Sequence, residues 1–262
     1  MQGDLPLTKA SSTPGEKLFR ANLRYFDRHL PAVAAYIRTV TRPISKIVWE
    51  DGKAVDVDLG KGRLYKKPAQ EFVREQIDRY FVSPERVILN QPEGVHMKSS
   101  YAIDMLRYIS EEVHVKRKVM LIPQPKDSIG FLLIIGVGLG LHIEELINRT
   151  KAKTVIIVEP IAELLYHSLH VVDWAALCRR CKKEKIKLVF TNTSSANAVS
   201  GQVNNVIFLG GSFRLDGSYI YTHYTTHVTS DVRNKVKEMA PYMMVVKGWF
   251  EDEVDKIGRA HV

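Results

Sequence analysis

An α/β fold is what this sequence predicts: a parallel sheet flanked by helices, preceded by a smaller α+β region. Three observations carry that expectation. The stretch FLLIIGVGLGLHIEELINRTKAKTVIIVEP, residues 131–160, reads as strand, glycine turn, helix, strand and acid, the opening of a Rossmann-like unit. From Val119 onward strand-like and helix-like runs alternate, the pattern of a parallel sheet with right-handed crossovers. Ahead of them, KIVWEDGKAVDVDLGKGRLY places an Asp51-Gly52 turn between two strand-like arms, a hairpin signal.

In chain order, Thr13-Pro14-Gly15-Glu16 forms a capping box with proline at the first helical position. It opens a helix whose apolar positions are Leu18, Phe19, Leu23 and Phe26, interrupted near Pro31. After the hairpin, apolar spacing predicts helices over about 69–81 and 101–113. Strands follow near 119–122, 131–135, 154–158, 186–190 and 205–209. Helices are expected at 141–149, 161–170, 173–184 and 194–203. The unbroken apolar character of 131–135 and 154–158 makes them neighbouring central strands, buried on both faces. The expected divisions are 1–118 for the α+β region, 119–240 for the Rossmann-like domain and 241–262 for the start of a helical connector.

The glycine turn is the candidate site. Gly136, Gly138 and Gly140 permit positive φ and close approach of a ligand to the backbone. The start of the following helix offers free N–H groups and the positive end of its dipole, suited to a phosphate. Glu159, closing the second strand, is placed as ribose-binding acids commonly are, and His142 lies beside the turn. The nucleotide-binding candidates are therefore Gly136, Gly138, Gly140, His142 and Glu159, with a nucleotide or nucleotide-sugar as ligand. The spacing G-x-G-x-G departs from the dinucleotide fingerprint G-x-G-x-x-G. It is closer to the first motif of S-adenosylmethionine-dependent methyltransferases, in which Glu159 would hold the ribose and S-adenosylmethionine would be the cofactor.

Composition sets outer limits. The 262 residues are 45% hydrophobic and 26% charged, an ordinary globular balance. No apolar run approaches a membrane span, and MQGDLPLTKASSTPGE lacks the apolar core of a signal peptide. A cytoplasmic location is expected. The net charge of +9 gathers in runs such as RRCKKEKIK and HVKRK. Aromatic residues are not interleaved with these charges, so a solvated helix face is expected rather than a nucleic-acid surface.

Cys178 and Cys181 lie inside the helix-like run DWAALCRRCKKEK. One pair cannot complete a four-ligand zinc site, and a redox pair sits at a helix N-terminus, so two reduced thiols are expected. His223, His227 and Asp231 recur at intervals of four and would share a face of a continuous helix, as a zinc site requires. The β-branched residues among them argue against that helix. Asp231 is expected instead in the first turn of a helix capped by Ser230, and no metal is expected. Glu144 and Glu145, in the helix after the glycine turn, are expected to face solvent. No G-x-S-x-G elbow, H-E-x-x-H helix or phosphate-binding G-x-x-x-x-G-K-[ST] loop occurs.

IIGVGLGLHIEELI, then VIIVEP, then LLYHSL followed by DWAAL, resembles in order the N-terminal part of the motility accessory factor family. These are bacterial flagellin glycosyltransferases. The resemblance covers about residues 15–255, most specifically 131–177. It implies a Rossmann-like N-terminal domain ahead of a central, sialyltransferase-like domain. That central domain would move a nonulosonic acid from its CMP-activated form to serine or threonine of flagellin. The glycine-rich GxGPS segment that opens it in the family has no counterpart after residue 240 here. GWFEDEVDKIGRAHV instead reads as a connecting helix cut short, so the residues of sugar transfer would lie beyond Val262 and no catalytic residue is expected within this chain.

The expected function is therefore an accessory domain within a flagellin glycosyltransferase, with flagellin and the downstream catalytic domain as partners. One alternative is a methyltransferase, supported by GVGLG and Glu159. A second is a non-catalytic nucleotide- or RNA-binding module, supported by charge alone.

Overall fold

The chain opens on two helices, α1 (Pro14–His29) and α2 (Pro31–Arg38). The computed structural model describes residues 14–87, 108, 111–118, 129–211, 214–215 and 217–246. Pro31 ends α1 and occupies the first turn of α2, where its missing N–H costs nothing. The hairpin follows as β1 (Lys46–Glu50) and β2 (Lys53–Asp58), paired antiparallel. Asp51 and Gly52 both have positive φ, +47° and +74°, matching the tight turn that Asp-Gly predicts. Helix α3 (Ala69–Val82) comes next, and Glu111–Lys116 forms a short π-helical turn. The expected strand at 119–122, Thr13 and most of the expected helix at 101–113 lie outside the described residues.

The rest is βα alternation: β3 (Phe131–Ile135), α4 (Ile143–Thr150), β4 (Thr154–Val158), α5 (Ala162–Ser168), α6 (Trp174–Lys183), β5 (Lys187–Phe190), α7 (Ala196–Gly210), β6 (Tyr219–Thr222) and α8 (His227–Val246). The four later strands form a parallel sheet in the order β5-β4-β3-β6. β3 and β4 are its central neighbours, every residue buried, as their apolar runs require. Alternate residues serve opposite faces. Leu132, Ile134, Val155 and Ile157 join a core built with α1–α6 and the hairpin. Phe131, Leu133, Ile135, Ile156 and Val158 join a second core under α7 and α8.

Two expectations are corrected. Residues 205–209 are not a strand but the last turns of α7. Val199, Val203 and Ile207 are buried at intervals of four while Phe208 and Leu209 are exposed, a helical period that outweighs the local apolar run. The strand on that side is Tyr219–Thr222, paired with β3. The helix after it starts at His227, not beyond Ser230. Thr226 caps it: the Thr229 N–H donates to Thr226 Oγ1 at 3.2 Å, and the Thr226 N–H donates back to Thr229 Oγ1 at 2.7 Å, a reciprocal cap that leaves Ser230 inside the helix.

Cys178 and Cys181 are free and buried on the inner face of α6. Glu144 and Glu145 face solvent, paired with Arg180 and Arg149. Among the described residues no helix is long and apolar enough to cross a membrane.

Candidate functional site

In an open parallel sheet, ligands enter where the chain reverses direction across the strand order, beyond the carboxyl ends of the strands. Here that place lies at β3, whose connection leads to β4 on one side while β6 arrives on the other. The glycine turn leaves β3 there. Gly136, Gly138 and Gly140 have φ of +91°, +53° and +79°, a region side chains avoid. A Cβ on Gly138 would stand 2.6 Å from Tyr65 Oη, and one on Gly140 would stand 2.9 Å from Val172 Cγ2. The turn is thus packed by the protein's own side chains.

Its amides are taken up internally as well. The Gly136 N–H donates to the Val158 carbonyl at 2.8 Å, and the Gly140 N–H donates to Val137 at 2.7 Å. The Val137 and Gly138 N–H groups donate to Glu159 Oε2 at 2.7 and 3.3 Å. The Leu139 N–H donates to Tyr65 Oη at 3.0 Å. Glu159, 1% exposed, also accepts from the Ile161 N–H at 2.9 Å and from the Tyr224 hydroxyl through Oε1. Its carboxylate stands where an anion would stand in an open turn. Burial pushes this carboxyl up to about 7, against four donated hydrogen bonds that favour the anion.

Behind the turn lies a buried polar network. Gln76 on α3 donates through Nε2 to the His223 carbonyl at 2.8 Å, and its Oε1 accepts from Tyr221 Oη at 2.6 Å. His223 Nδ1 lies 2.8 Å from the same Oε1, so the proton sits on Nδ1 and Nε2 accepts. Tyr65 Oη, 3.0 Å from His223 Nε2, therefore donates to it while accepting from Leu139. Each donor in this chain meets one acceptor. His142 stacks on His223 with ring centroids 4.0 Å apart and donates Nε2–H to the Gly136 carbonyl at 3.1 Å. Its Nδ1 has no partner. Burial drives both rings to the neutral form: His142 falls well below the usual imidazole range, the His223 ring adding to the effect, and His223 falls to about 3.

The five sequence-chosen residues are therefore brought together, with Glu159 turned inward onto the amides. Sequence reasoning missed Tyr65, Gln76, Tyr221 and Tyr224. His223 was singled out for the wrong partners. It follows β6 directly and is buried, whereas His227 begins α8 on the surface and pairs with Asp231 at 3.0 Å. Among the described residues no group of three or more His, Cys, Asp or Glu side chains could hold a metal. A second missed cluster joins Ser45 Oγ to His167 Nε2 and to Glu163 Oε1, both at 2.8 Å. The carboxylate meets the hydroxyl rather than the far ring nitrogen, so this is a structural bridge and not the geometry of an activated serine.

Comparison with known families matches residues 18–245 to the glycosyltransferase Maf N-terminal domain. The chain belongs to this family. A solved Maf glycosyltransferase from Magnetospirillum magneticum AMB-1 has the same fold, with a TM-score of 0.64 at 21% identity. The match covers 87% of this chain and 35% of that one, so the chain spans about a third of that protein's length. No match was found among curated proteins. The resemblance read from the ordered sequence runs is thus shown at the level of the family, and the α/β architecture expected for it is the one observed.

Proposed function

We propose that this chain is a non-catalytic domain of a Maf enzyme that transfers a CMP-activated nonulosonic acid to flagellin in the cytoplasm. The observation that carries the reading is the extent of the family match: an N-terminal domain, spanning a third of a related glycosyltransferase. The site chemistry supports it. Sugar transfer needs a base for the acceptor hydroxyl and stabilisation of the departing phosphate. The turn that would supply the second function already holds the Glu159 carboxylate on its amides, and Glu144 and Glu145 are surface ion-pair partners. The nucleotide-binding role of Gly136, Gly138, Gly140, His142 and Glu159 gives way in this proposal to a closed, self-satisfied turn.

The test is transfer of a nonulosonic acid from its CMP form to purified flagellin, read by intact mass, with residues 1–262 and with a full-length Maf protein that contains them. Transfer by the full-length protein alone is expected. A mass gain with residues 1–262 would move the chemistry into this domain. Calorimetry with CMP and with S-adenosylmethionine addresses the turn: no heat of binding is expected. Micromolar binding lost in Glu159→Ala would restore the nucleotide or methyltransferase reading.

A further inference from the structure

Helix α1 carries Lys17, Arg20, Arg24 and Arg28 at intervals of three and four residues, so the four cations share a face. At about 1.5 Å per residue the row is roughly 16 Å long. On one side of it a cleft of ≈ 770 Å³ opens between α1 and α6, with Arg24 and Arg28 on one wall and Arg179 and Lys182 on the other. Its floor is apolar, formed by Leu30, Ile186 and Leu188. On the other side Lys17, Arg20 and Arg24 line a hollow of ≈ 530 Å³, bounded by the Arg38–Asp27 ion pair.

Among the described residues these cations have no salt-bridge partner: no ion pair joins Lys17, Arg20, Arg24, Arg28, Arg179 or Lys182 to a carboxylate. Among the described residues Asp173 is the acid lining the cleft, and it caps α6, accepting the Ala176 N–H at 2.8 Å. Arg149 and Arg233, on other surfaces, are paired. Cations on the two sides of a cleft repel one another, and an anionic occupant relieves that repulsion.

We infer that the α1–α6 cleft docks an extended acidic segment of a partner protein, its carboxylates on the cation row and its apolar side chains on Leu30, Ile186 and Leu188. The row is as long as roughly five extended residues, more than a mononucleotide-sized anion fills. Nucleic acid fits less well. The rings lining the cleft are Tyr25 and His29, 4.5 Å apart between centroids, and the Arg179 guanidinium lies over the Tyr25 ring at 5.7 Å, so both rings are already engaged by protein groups and neither is a bare platform for a base. The apolar floor rewards a side chain that a phosphate backbone lacks.

The test is fluorescence anisotropy with a short labelled peptide of glutamates interspersed with leucines. Its glutamine counterpart, an all-glutamate peptide and a single-stranded DNA of equal charge are compared with it. Saturable binding of the glutamate–leucine peptide is expected, weakened by salt. The all-glutamate peptide binds more weakly and the glutamine peptide not at all. Joint reversal of Arg24→Glu and Arg28→Glu weakens binding about tenfold, a size set by two exposed charge pairs. Reversal of Lys53 and Lys61 in and beside the hairpin leaves it unchanged. All four positions are exposed, so an unchanged thermal midpoint verifies folding of each variant. Three results each overturn the inference: no peptide binding, equal loss in the hairpin variant, or tighter binding of the DNA than of the peptide.

Discussion

The Glu159 carboxyl ties protein stability to pH with a definite sign. Burial raises it from 4.5 in the open chain to about 7 in the fold, so between those values the folded state holds a proton that the unfolded state has released. Stability then falls as pH rises through the window and is level on either side. At about 1.4 kcal/mol for each tenfold difference in proton affinity, the change amounts to about 3 kcal/mol. Glu159→Gln cannot titrate, so the wild-type stability minus that of the variant isolates this one group. Urea unfolding of both proteins at closely spaced pH gives the difference directly. It should decline by about 3 kcal/mol from pH about 4.5 to about 7. A difference that rises with pH over the same range would refute the reasoning. It would mean that Val137, Gly138, Ile161 and Tyr224, all donating to Glu159, hold the anion more strongly than burial opposes it.

The remaining predictions concern the same region and the helix beside it. Gly138→Ala, at φ +53° and with its Cβ 2.6 Å from Tyr65 Oη, should cost about 2–4 kcal/mol of unfolding free energy. Gly62→Ala, which meets nothing within 4 Å, should cost less than about 0.5 kcal/mol; equal losses would remove the argument for a packed turn. The ring signals of His142 and His223 should keep neutral-form NMR shifts from pH about 8 to about 5, because burial lowers both; a midpoint inside that range would mean that water reaches the network. Burial pushes the Cys178 thiol up to about 12, so a thiol reagent near pH 8 should label it only as denaturant opens the fold. Rapid native labelling would place the thiol on the surface.

Much of the fold was legible because its signals are local. An all-apolar run of five, a glycine turn and a second such run specify β3, α4 and β4, and Asp51-Gly52 specifies the hairpin. The misreading of 205–209 has an equally local cause. β-branched and aromatic residues resemble a strand over five positions, and the helical period appears only when Val199 and Val203 are counted with Ile207. β6 is four residues long, and its burial depends on β3 and not on its own pattern. The site was legible in position and opaque in state. Sequence places an acid at the end of β4 beside the turn, but the direction of its side chain is decided by what competes for the amides. That competitor, Tyr65, lies 74 residues from Leu139 and 158 from His223. No periodicity reports contacts of that range.

Those long-range contacts give the turn its role. Tyr65 follows the hairpin and Gln76 lies on α3, while Leu139, Tyr221 and His223 belong to the sheet and its carboxyl-end turns. The network is thus a joint that fixes the N-terminal elements across the end of the sheet. A buried network of this kind is costly to leave half satisfied, so loss of Tyr65 or Glu159 should be felt as loosening of the whole α1–α3 region. The α1–α6 cleft obeys a different logic. Asn22 anchors α1 near it, donating to the Leu169 and Val172 carbonyls at 2.8 and 2.7 Å and accepting from the Ala175 N–H at 3.0 Å, while the cations of the cleft are exposed to solvent. Stability and recognition are therefore separable by mutation in this domain. Buried changes at the turn should alter unfolding and leave peptide affinity intact until α1 is disturbed. Changes at Arg24 and Arg28 should alter affinity alone. Sites without shared partners act additively, and a double variant carrying one change of each kind should show both effects undiminished.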